Sequence, residues 1–489
     1  ERFDPLDPPQ GLFSDDWAEI FMAGGKVGYL HSTMTREGDR IRTRTVTVIR
    51  LGRVDSPVQI RSEQRTTETV SGVPLTFASE MKAATMNTTT RGTIRDGKVT
   101  IVSSQLGMEQ SQTYPFPKGA LMTWGSYRET VRRGFKEGTN YTLTLYAPEL
   151  RLDGPVEART EVGPVESFPH KGKTLRGHRM VTTLTSPVGE MTMRSWVDDL
   201  GRPVKALMPV PGLGDMTIYQ AEQSEALADF VPPEVFLQTT LPAGRPIDRK
   251  RVRRIVYRLT RKSDEVDLSG LPETDMQRIV KESPRAVELV VTRRPRRPVS
   301  DDPKPLPPAQ RREYLAANLM MNTDDPKLIA LAKKAAGGER DPFRLADRLR
   351  RFVTDYVTDK NLNVGFATAS EVARRREGDC SEHGVLLAAL GRILGLPSRV
   401  VVGIAYVPRL GRATDVFGYH LWTQFYIDGR WVDYDAALRE SDCSPARIAF
   451  STSSLRNTSL ADLSLPLLSK IGAIKLEILE VDGKPVKTR

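Results

Sequence analysis

The chain has 489 residues, of which 39% are hydrophobic and 27% charged, a balance that excludes wholesale disorder and a fibrous protein. Apolar runs stay well short of the ~20 residues that a membrane-spanning helix needs, and two cysteines are too few for a disulfide framework. Lys and Arg number 72 against 61 Asp and Glu, a formal charge of +11. This excess is small and gathered in short runs, so we interpret it as solvated surface rather than as a nucleic-acid footprint.

The N-terminal part of the chain has the pattern of antiparallel strands. Polar and apolar residues alternate from about residue 17 to 223, which is typical of strands with two unlike faces. Asp96-Gly97 predicts a tight hairpin turn, and residues 119–134 predict one inserted helix. We predict that residues 1–223 form an antiparallel β-rich domain.

The rest of the chain divides by composition. Residues 224–293 predict a small mixed β unit, and the six prolines between 294 and 308 predict a stiff extended linker at a domain boundary. Residues 309–489 then form an α+β domain with a C-terminal tail, which begins with helices at 310–321, 326–336 and 342–358. The chain starts Glu1-Arg2-Phe3 without an initiator Met, so we expect an exported protein, periplasmic or extracellular, and leave a cytoplasmic location open.

The segment 377–387 predicts a capped helix that carries a cysteine. Asp379 can cap the helix, and Glu382, three residues later, can close a capping box. Cys380 then lies in the first turn, where the positive end of the helix favours a thiolate nucleophile. The alternative is a buried, inert cysteine at a helix cap.

A histidine and an aspartate lie close together on one predicted hairpin. If Asp428-Gly429 is the turn, His420 and Asp435 are diagonal neighbours on one face, with Cβ atoms about 7 Å apart. Asp433 would lie too far along the strand to orient the imidazole. The alternative is a structural pair, but nucleophilic thiol catalysis requires this set of a cysteine, a base and an orienting acid.

These residues resemble the transglutaminase-like superfamily of papain-like cysteine enzymes. The resemblance rests on four stretches: Gly378-Asp379-Cys380 with the apolar helix that follows, the run 394–401, His420-Leu421-Trp422 and the run 429–435. After the last of these, Ala436-Ala437 replaces the Pro-Thr that is usual in the family. It covers about residues 310–440. It implies the fold class α+β, with an N-terminal antiparallel β-rich part followed by a papain-like catalytic domain within residues 309–489.

The resemblance implies a Cys380 nucleophile, a His420 base and an Asp435 that holds the imidazole tautomer, acting through a thioester. The backbone N–H of Cys380 is one oxyanion donor, and Asn361 and Asn363 are candidates for a second, with ordinary loop capping as the alternative. Tyr419 and Trp422 are candidates for walls of the substrate channel, although aromatic residues on hairpins more often belong to the core.

We predict neither a metal nor a cofactor. His383 follows Cys380 by three residues, which would suit half of a metal site, but a second ligand pair with suitable spacing is missing from the sequence. A packing role is therefore expected for His383.

The sequence predicts a transglutaminase-like cysteine acyltransferase or protease that acts on protein or peptide amides, such as glutamine side chains. The alternative is a catalytically silent binding or scaffold protein, whose β domain and basic runs (249–254 and 293–297) contact a cell-envelope polymer. Specific nucleic-acid binding and a transmembrane segment are not expected.

Overall fold

The chain folds into two compact units. In the computed structural model the described residues are 4, 6–53, 56–83, 86–105, 108–186, 189–210, 214–234, 239–262, 267–295, 303–360, 367–456, 467 and 470–486. The first unit comprises Glu1–Gly52, Pro57–Val210 and Gly214–Pro233, and the second is built on Glu234–Arg489. Within the described ranges, no helix combines the length and the apolar character needed to cross a bilayer.

The first unit is a 14-stranded antiparallel sheet with strand order β8-β7-β6-β5-β4-β3-β2-β1-β14-β13-β12-β11-β10-β9. Its strands are β1 (Gly11–Met22), β2 (Gly25–Glu37), β3 (Arg40–Arg53), β4 (Ser56–Thr69), β5 (Pro74–Ala83), β6 (Met86–Arg95), β7 (Lys98–Gln105), β8 (Met108–Pro115), β9 (Asn140–Leu145), β10 (Val156–His170), β11 (Lys173–Ser186), β12 (Gly189–Val197), β13 (Pro203–Val210) and β14 (Gly214–Ala221). The described part of the unit also contains the helices α1 (Thr123–Arg133) and α2 (Gln223–Leu227).

Local sequence features explain several of these elements. Arg95 pairs with Lys98 across the Asp96-Gly97 turn, whose two residues have φ angles of 51° and 69°, as a two-residue hairpin of the primed type requires. Helix α1 starts later than predicted because the buried Glu68 carboxylate accepts the free N–H groups of Trp124 and Gly125, at 2.7 and 2.8 Å.

Over its described residues, the second unit combines helices with two five-stranded sheets. The strand order is β15-β20-β19-β22 in one sheet, with β21 paired to β20, and β17-β18-β16-β23-β24 in the other. The elements are β15 (Leu241–Pro242), β16 (Arg254–Arg261), β17 (Gln277–Glu282), β18 (Ala286–Thr292), α3 (Pro308–Leu315), α4 (Pro326–Ala336), α5 (Pro342–Tyr356), α6 (Ala369–Arg375), α7 (Cys380–Ile393), β19 (Ser398–Leu410), β20 (Ala413–Ile427), β21 (Arg430–Tyr434), β22 (Arg447–Ser453), β23 (Ile474–Val481) and β24 (Lys484–Pro485). The predicted α+β class with an N-terminal antiparallel β-rich part is therefore confirmed.

The division into units differs from the predicted one. Residues 241–292 do not form a unit of their own, because β16 pairs with β23, with Tyr257 opposite Ile478, and its apolar face joins the core of the second unit. Residues 223–233 belong to the first unit.

The predicted linker 294–308 does not mark a boundary between compact units in its described parts. Residues 296–302 lie outside the described residues. On either side of them the chain is held within the second unit: Arg294 Nε donates to the carbonyl of Asp275 at 2.8 Å, and the hydroxyl of Tyr426 donates to the carbonyl of Lys304 at 2.6 Å.

Helix α7 lies at the centre of the second unit. Its residues from Ser381 to Arg392 are all buried, and it contacts β20 and helices α4, α5 and α6. Two glycines permit the close approach to β20, because a Cβ at Gly384 would lie 2.2 Å from Leu421 and one at Gly391 would lie 2.1 Å from the Phe425 ring.

Candidate active site

Cys380 is the first residue of α7, and the residues around it form the predicted cap. The Asp379 side chain accepts a hydrogen bond from Ser381 N at 2.9 Å, and the Glu382 carboxylate accepts one from Asp379 N at 2.9 Å. Gly378 has a φ of 141°, and a Cβ there would lie 2.3 Å from the Glu382 side chain. Cys380 itself is half-buried and makes no disulfide. The thiol therefore sits at the positive end of a fully capped helix.

The Glu382 carboxylate joins the cap to the chain upstream. It also accepts a hydrogen bond from Ala367 N at 3.0 Å, and it is completely buried. Burial raises the pKa of Glu382 well above its usual range, and the nearby Asp379 carboxylate adds to the rise. Glu382 therefore fixes the shape of the segment that leads into Cys380.

His420 and Asp435 meet as the hairpin register predicts. Ile427 pairs with Arg430 across the Asp428-Gly429 turn, and further along the hairpin His420 Nε2 lies 2.7 Å from Asp435 Oδ2. Both side chains are buried. An ionised carboxylate can only accept, so Nε2 carries the hydrogen and Nδ1 keeps the lone pair.

The strand that carries His420 is fastened to the helix that carries Cys380. The hydroxyl of Thr423 donates to the carbonyl of Gly384 at 2.8 Å, and Leu421 packs against the same glycine. One helical turn separates this contact from the start of α7. The cysteine and the histidine are thus positioned by one helix–strand contact.

Asp435 has two further partners, one of which the sequence does not reveal. Leu438 N donates to Oδ1 at 2.8 Å, and Arg447 Nη1 lies 3.2 Å from Oδ2. Burial raises the pKa of Asp435, but the His420 and Arg447 side chains together outweigh that effect and leave the pKa below its ordinary value. Asp435 is therefore ionised at neutral pH.

Asp433 serves a different pair of side chains. Its Oδ1 accepts from Trp422 Nε1 and from Gln424 Nε2 at 3.1 Å, and burial raises its pKa. Trp422, a candidate for the wall of the substrate channel, is only 2% exposed. Its ring lies 6.0 Å from the His420 ring, so it supports the imidazole from within the protein instead of lining an open channel.

The remaining candidate site residues and the second cysteine differ in what the structure shows of them. Asn361 and Asn363 lie outside the described residues. Tyr419 is partly buried at the edge of the main core, as Cys380 is, and its role in a channel remains a prediction. Cys443 is buried, and burial raises its pKa well above the usual value.

His383 is buried three residues after Cys380 on α7. Its Nδ1 lies 2.6 Å from the carbonyl of Asp379, to which a neutral ring donates. Burial lowers the pKa of His383, so it is neutral at pH 7 and packs under the cap. Across the part of the chain that the structure describes, no group of three or more His, Cys, Asp or Glu could hold a metal ion.

The predicted basic runs are engaged within the second unit. Arg249 Nε lies 3.1 Å from Glu440, and Arg293 Nη1 lies 2.9 Å from Asp442. Arg254 pairs with Glu480. These three arginines are paired with acids of the same unit, which weakens the interpretation of the runs as a binding surface for an acidic polymer. Arg296 and Arg297 lie outside the described residues.

Comparison with known proteins gives one family match, which lies within the second unit. The model of the transglutaminase-like superfamily matches residues 329–436. Among curated proteins, none matches the chain. A solved structure from Cytophaga hutchinsonii, described as a "Putative Cysteine Protease", is 16% identical, covers 48% of this chain and 92% of its own, and has a TM-score of 0.31.

A second solved structure, a beta-barrel-like protein of a domain of unknown function from Brucella abortus, is 13% identical, covers 44% of this chain and 98% of its own, and has a TM-score of 0.36. With TM-scores this low, nothing about activity follows from either likeness. The family match contains Cys380, His420 and Asp435. The chain therefore carries a transglutaminase-like superfamily domain at residues 329–436.

Proposed function

We propose that the second unit is a thiol-dependent acyltransferase or hydrolase that acts on protein or peptide amides. The observation that carries this proposal is the buried hydrogen bond of 2.7 Å between His420 and Asp435, on a strand fastened to the helix that begins with Cys380. This pair leaves a lone pair on Nδ1 of an oriented imidazole, as a base for a thiol requires.

In the proposed reaction, His420 Nδ1 takes the thiol proton and the Cys380 thiolate attacks the amide carbonyl carbon. The carbon–nitrogen bond breaks, and His420 returns the proton to the leaving amine, which leaves a thioester. Water then gives a carboxylic acid, and a primary amine gives a new amide. The backbone N–H of Cys380, the first residue of α7, is the proposed donor to the oxyanion.

The test compares the two cysteines of the chain. Iodoacetamide at pH 7 is expected to alkylate Cys380 far faster than Cys443, with each peptide followed by mass spectrometry. Because Cys443 is buried, a His420→Gln variant is the matched control: it should slow the alkylation of Cys380 and leave Cys443 unchanged. Equal, slow rates at both cysteines would favour the silent binding or scaffold protein.

A second experiment separates amine transfer from cleavage. The full chain is incubated with a glutamine-containing protein and a fluorescent primary amine, and the products are examined for label and for new chain ends. Label without new ends indicates transfer, and new ends without label indicate hydrolysis. Cys380→Ala should abolish either product with an unchanged circular dichroism spectrum, because the thiol lies at a helix end.

A further inference from the structure

Arg447, the first residue of β22, contacts the carboxylate that orients His420. Asp435 Oδ2 accepts a hydrogen bond from His420 Nε2 at 2.7 Å and forms an ion pair with Arg447 Nη1 at 3.2 Å, without hydrogen-bond geometry. The Arg447 side chain is only 3% exposed. A buried guanidinium this close to a catalytic carboxylate changes both its position and its effective charge.

The surroundings hold Arg447 in one orientation. Its Nη2 is paired with Glu440, its Nε donates to the carbonyl of Ser444 at 3.0 Å, and its guanidinium carbon lies 5.0 Å from the centre of the Trp422 ring. Glu440 is in turn 3.1 Å from Arg249 Nε. A line of contacts thus runs from the His420 imidazole through two acids, Asp435 and Glu440, and two arginines, Arg447 and Arg249, that alternate along it.

We propose that Arg447 is a positioning residue: it holds the Asp435 carboxylate against His420 and offsets part of its negative charge, so that the imidazolium form of His420 is only moderately stabilised. A base too strongly stabilised as imidazolium would not return its proton to the leaving amine. The proposal rests on the proposed function only in that it takes His420 as the base.

Other titratable groups face the same carboxylate and guanidinium from the neighbouring elements. They are Asp433 from β21, Cys443 from the loop before β22, and His383 from α7. Burial favours the uncharged form of each. The groups in direct ion-pair contact are His420 and Arg447, against Asp435, and Glu440, against Arg447.

The test is a titration of the His420 imidazole by NMR in the full chain, with histidine labelled at the ring carbon. The chain has five histidines, and a His420→Gln variant assigns the signal. A Cys380→Ala background removes the thiol from the titration. Because no turnover is needed, the result is readable even if Cys380 proves unreactive.

Two substitutions should move the titration midpoint in opposite directions. Arg447→Met removes the offsetting charge and should raise the midpoint by about one pH unit, a tenfold change in proton affinity. Glu440→Gln leaves Arg447 less neutralised and should lower it. Arg447→Lys keeps the charge and should stay near the parent value. Arg258→Met, which breaks an exposed pair with Glu288 on the other sheet, is the control and should change nothing.

A merely structural role for Arg447 would lower stability without moving the midpoint. The proposal is overturned if Arg447→Met and Glu440→Gln both keep the native circular dichroism spectrum and the parent midpoint. If Arg447→Met does not fold, Glu440→Gln decides: a lowered midpoint supports the proposal, and an unchanged or raised one overturns it.

Discussion

Gly391 determines how closely α7 approaches β20, and its replacement by alanine should be costly. An added Cβ would lie 2.1, 2.8 and 3.0 Å from three atoms of the Phe425 ring. The ring cannot move aside easily, because it is completely buried and packs at 5.6 Å against the Tyr434 ring. At Gly384 the clash is with the terminal methyl of Leu421 at 2.2 Å, with the next Leu421 atom at 3.7 Å, so a rotamer change can relieve it.

The magnitude follows from two opposing effects. Overpacking of a rigid core site costs about 1–3 kcal/mol, and alanine in place of glycine within a helix regains about 0.5–1 kcal/mol. We take the upper part of the overpacking range because the added methyl group would clash with three atoms of the Phe425 ring at once. Gly391→Ala should therefore destabilise the second unit by about 1–2 kcal/mol.

A double-mutant cycle tests this reasoning. Phe425→Leu removes the ring atoms that the new methyl group would meet. In that background Gly391→Ala should become stabilising by about 0.5–1 kcal/mol, which gives a coupling of about 2 kcal/mol between the two positions.

The assay uses the scarcity of cysteine. With Cys380→Ala, Cys443 is the sole thiol of the chain, and it is 4% exposed in the folded state. Pulses of a thiol reagent across a denaturant series then report the opening of the second unit alone. An equal cost of Gly391→Ala in both backgrounds would refute the assignment of the effect to the Phe425 ring.

Three further predictions concern the site and the first unit. Asp435→Asn should slow the alkylation of Cys380 less than His420→Ala does, because it misorients the base without removing it. Thr423→Val deletes a buried hydrogen bond of 2.8 Å to α7 and should destabilise the second unit by about 1–2 kcal/mol in the thiol-pulse assay. The Arg44 hydrogen bond lowers the pKa of Glu63 to about 2, so its stabilisation is present above about pH 4 and lost as pH falls toward 2. Glu63→Gln should flatten that acid loss in circular dichroism unfolding curves, and an unchanged slope would contradict it.

The parts of the site encoded in short stretches of sequence could be predicted. The cap around Cys380 depends on residues within four positions of it, and the hairpin register follows from the Asp428-Gly429 turn. Both have a local chemical cause, so both can be predicted from the sequence without a structure. The bounds of α4, Pro326–Ala336, were predictable for the same reason: Asp325 caps the helix and Gly337 follows it with a φ of 55°.

The parts that depend on distant pairing could not be predicted. Strand β16 pairs with β23 more than 200 residues away, and alternation along a strand does not name its partner. For the same reason residues 224–293 were expected to form a separate unit. Trp422 illustrates a second limit. An aromatic residue near a candidate catalytic histidine has the same local sequence pattern whether it lines a channel or, as here, donates a hydrogen bond to the buried Asp433.

The ion pairs around Asp435 account for part of the positive net charge of the chain. Arg447 and Arg249 are cations whose partners are Asp435 and Glu440, so part of the basic excess is structural and lies beside the candidate site. Burying these charges is favourable only while each has its partner. A substitution that removes one of these charges should therefore change the electrostatic field at His420 even where it leaves every contact of Cys380 intact. For this reason the opposite shifts of the titration midpoint expected for Arg447→Met and Glu440→Gln distinguish a role of Arg447 in adjusting His420 from a purely structural role.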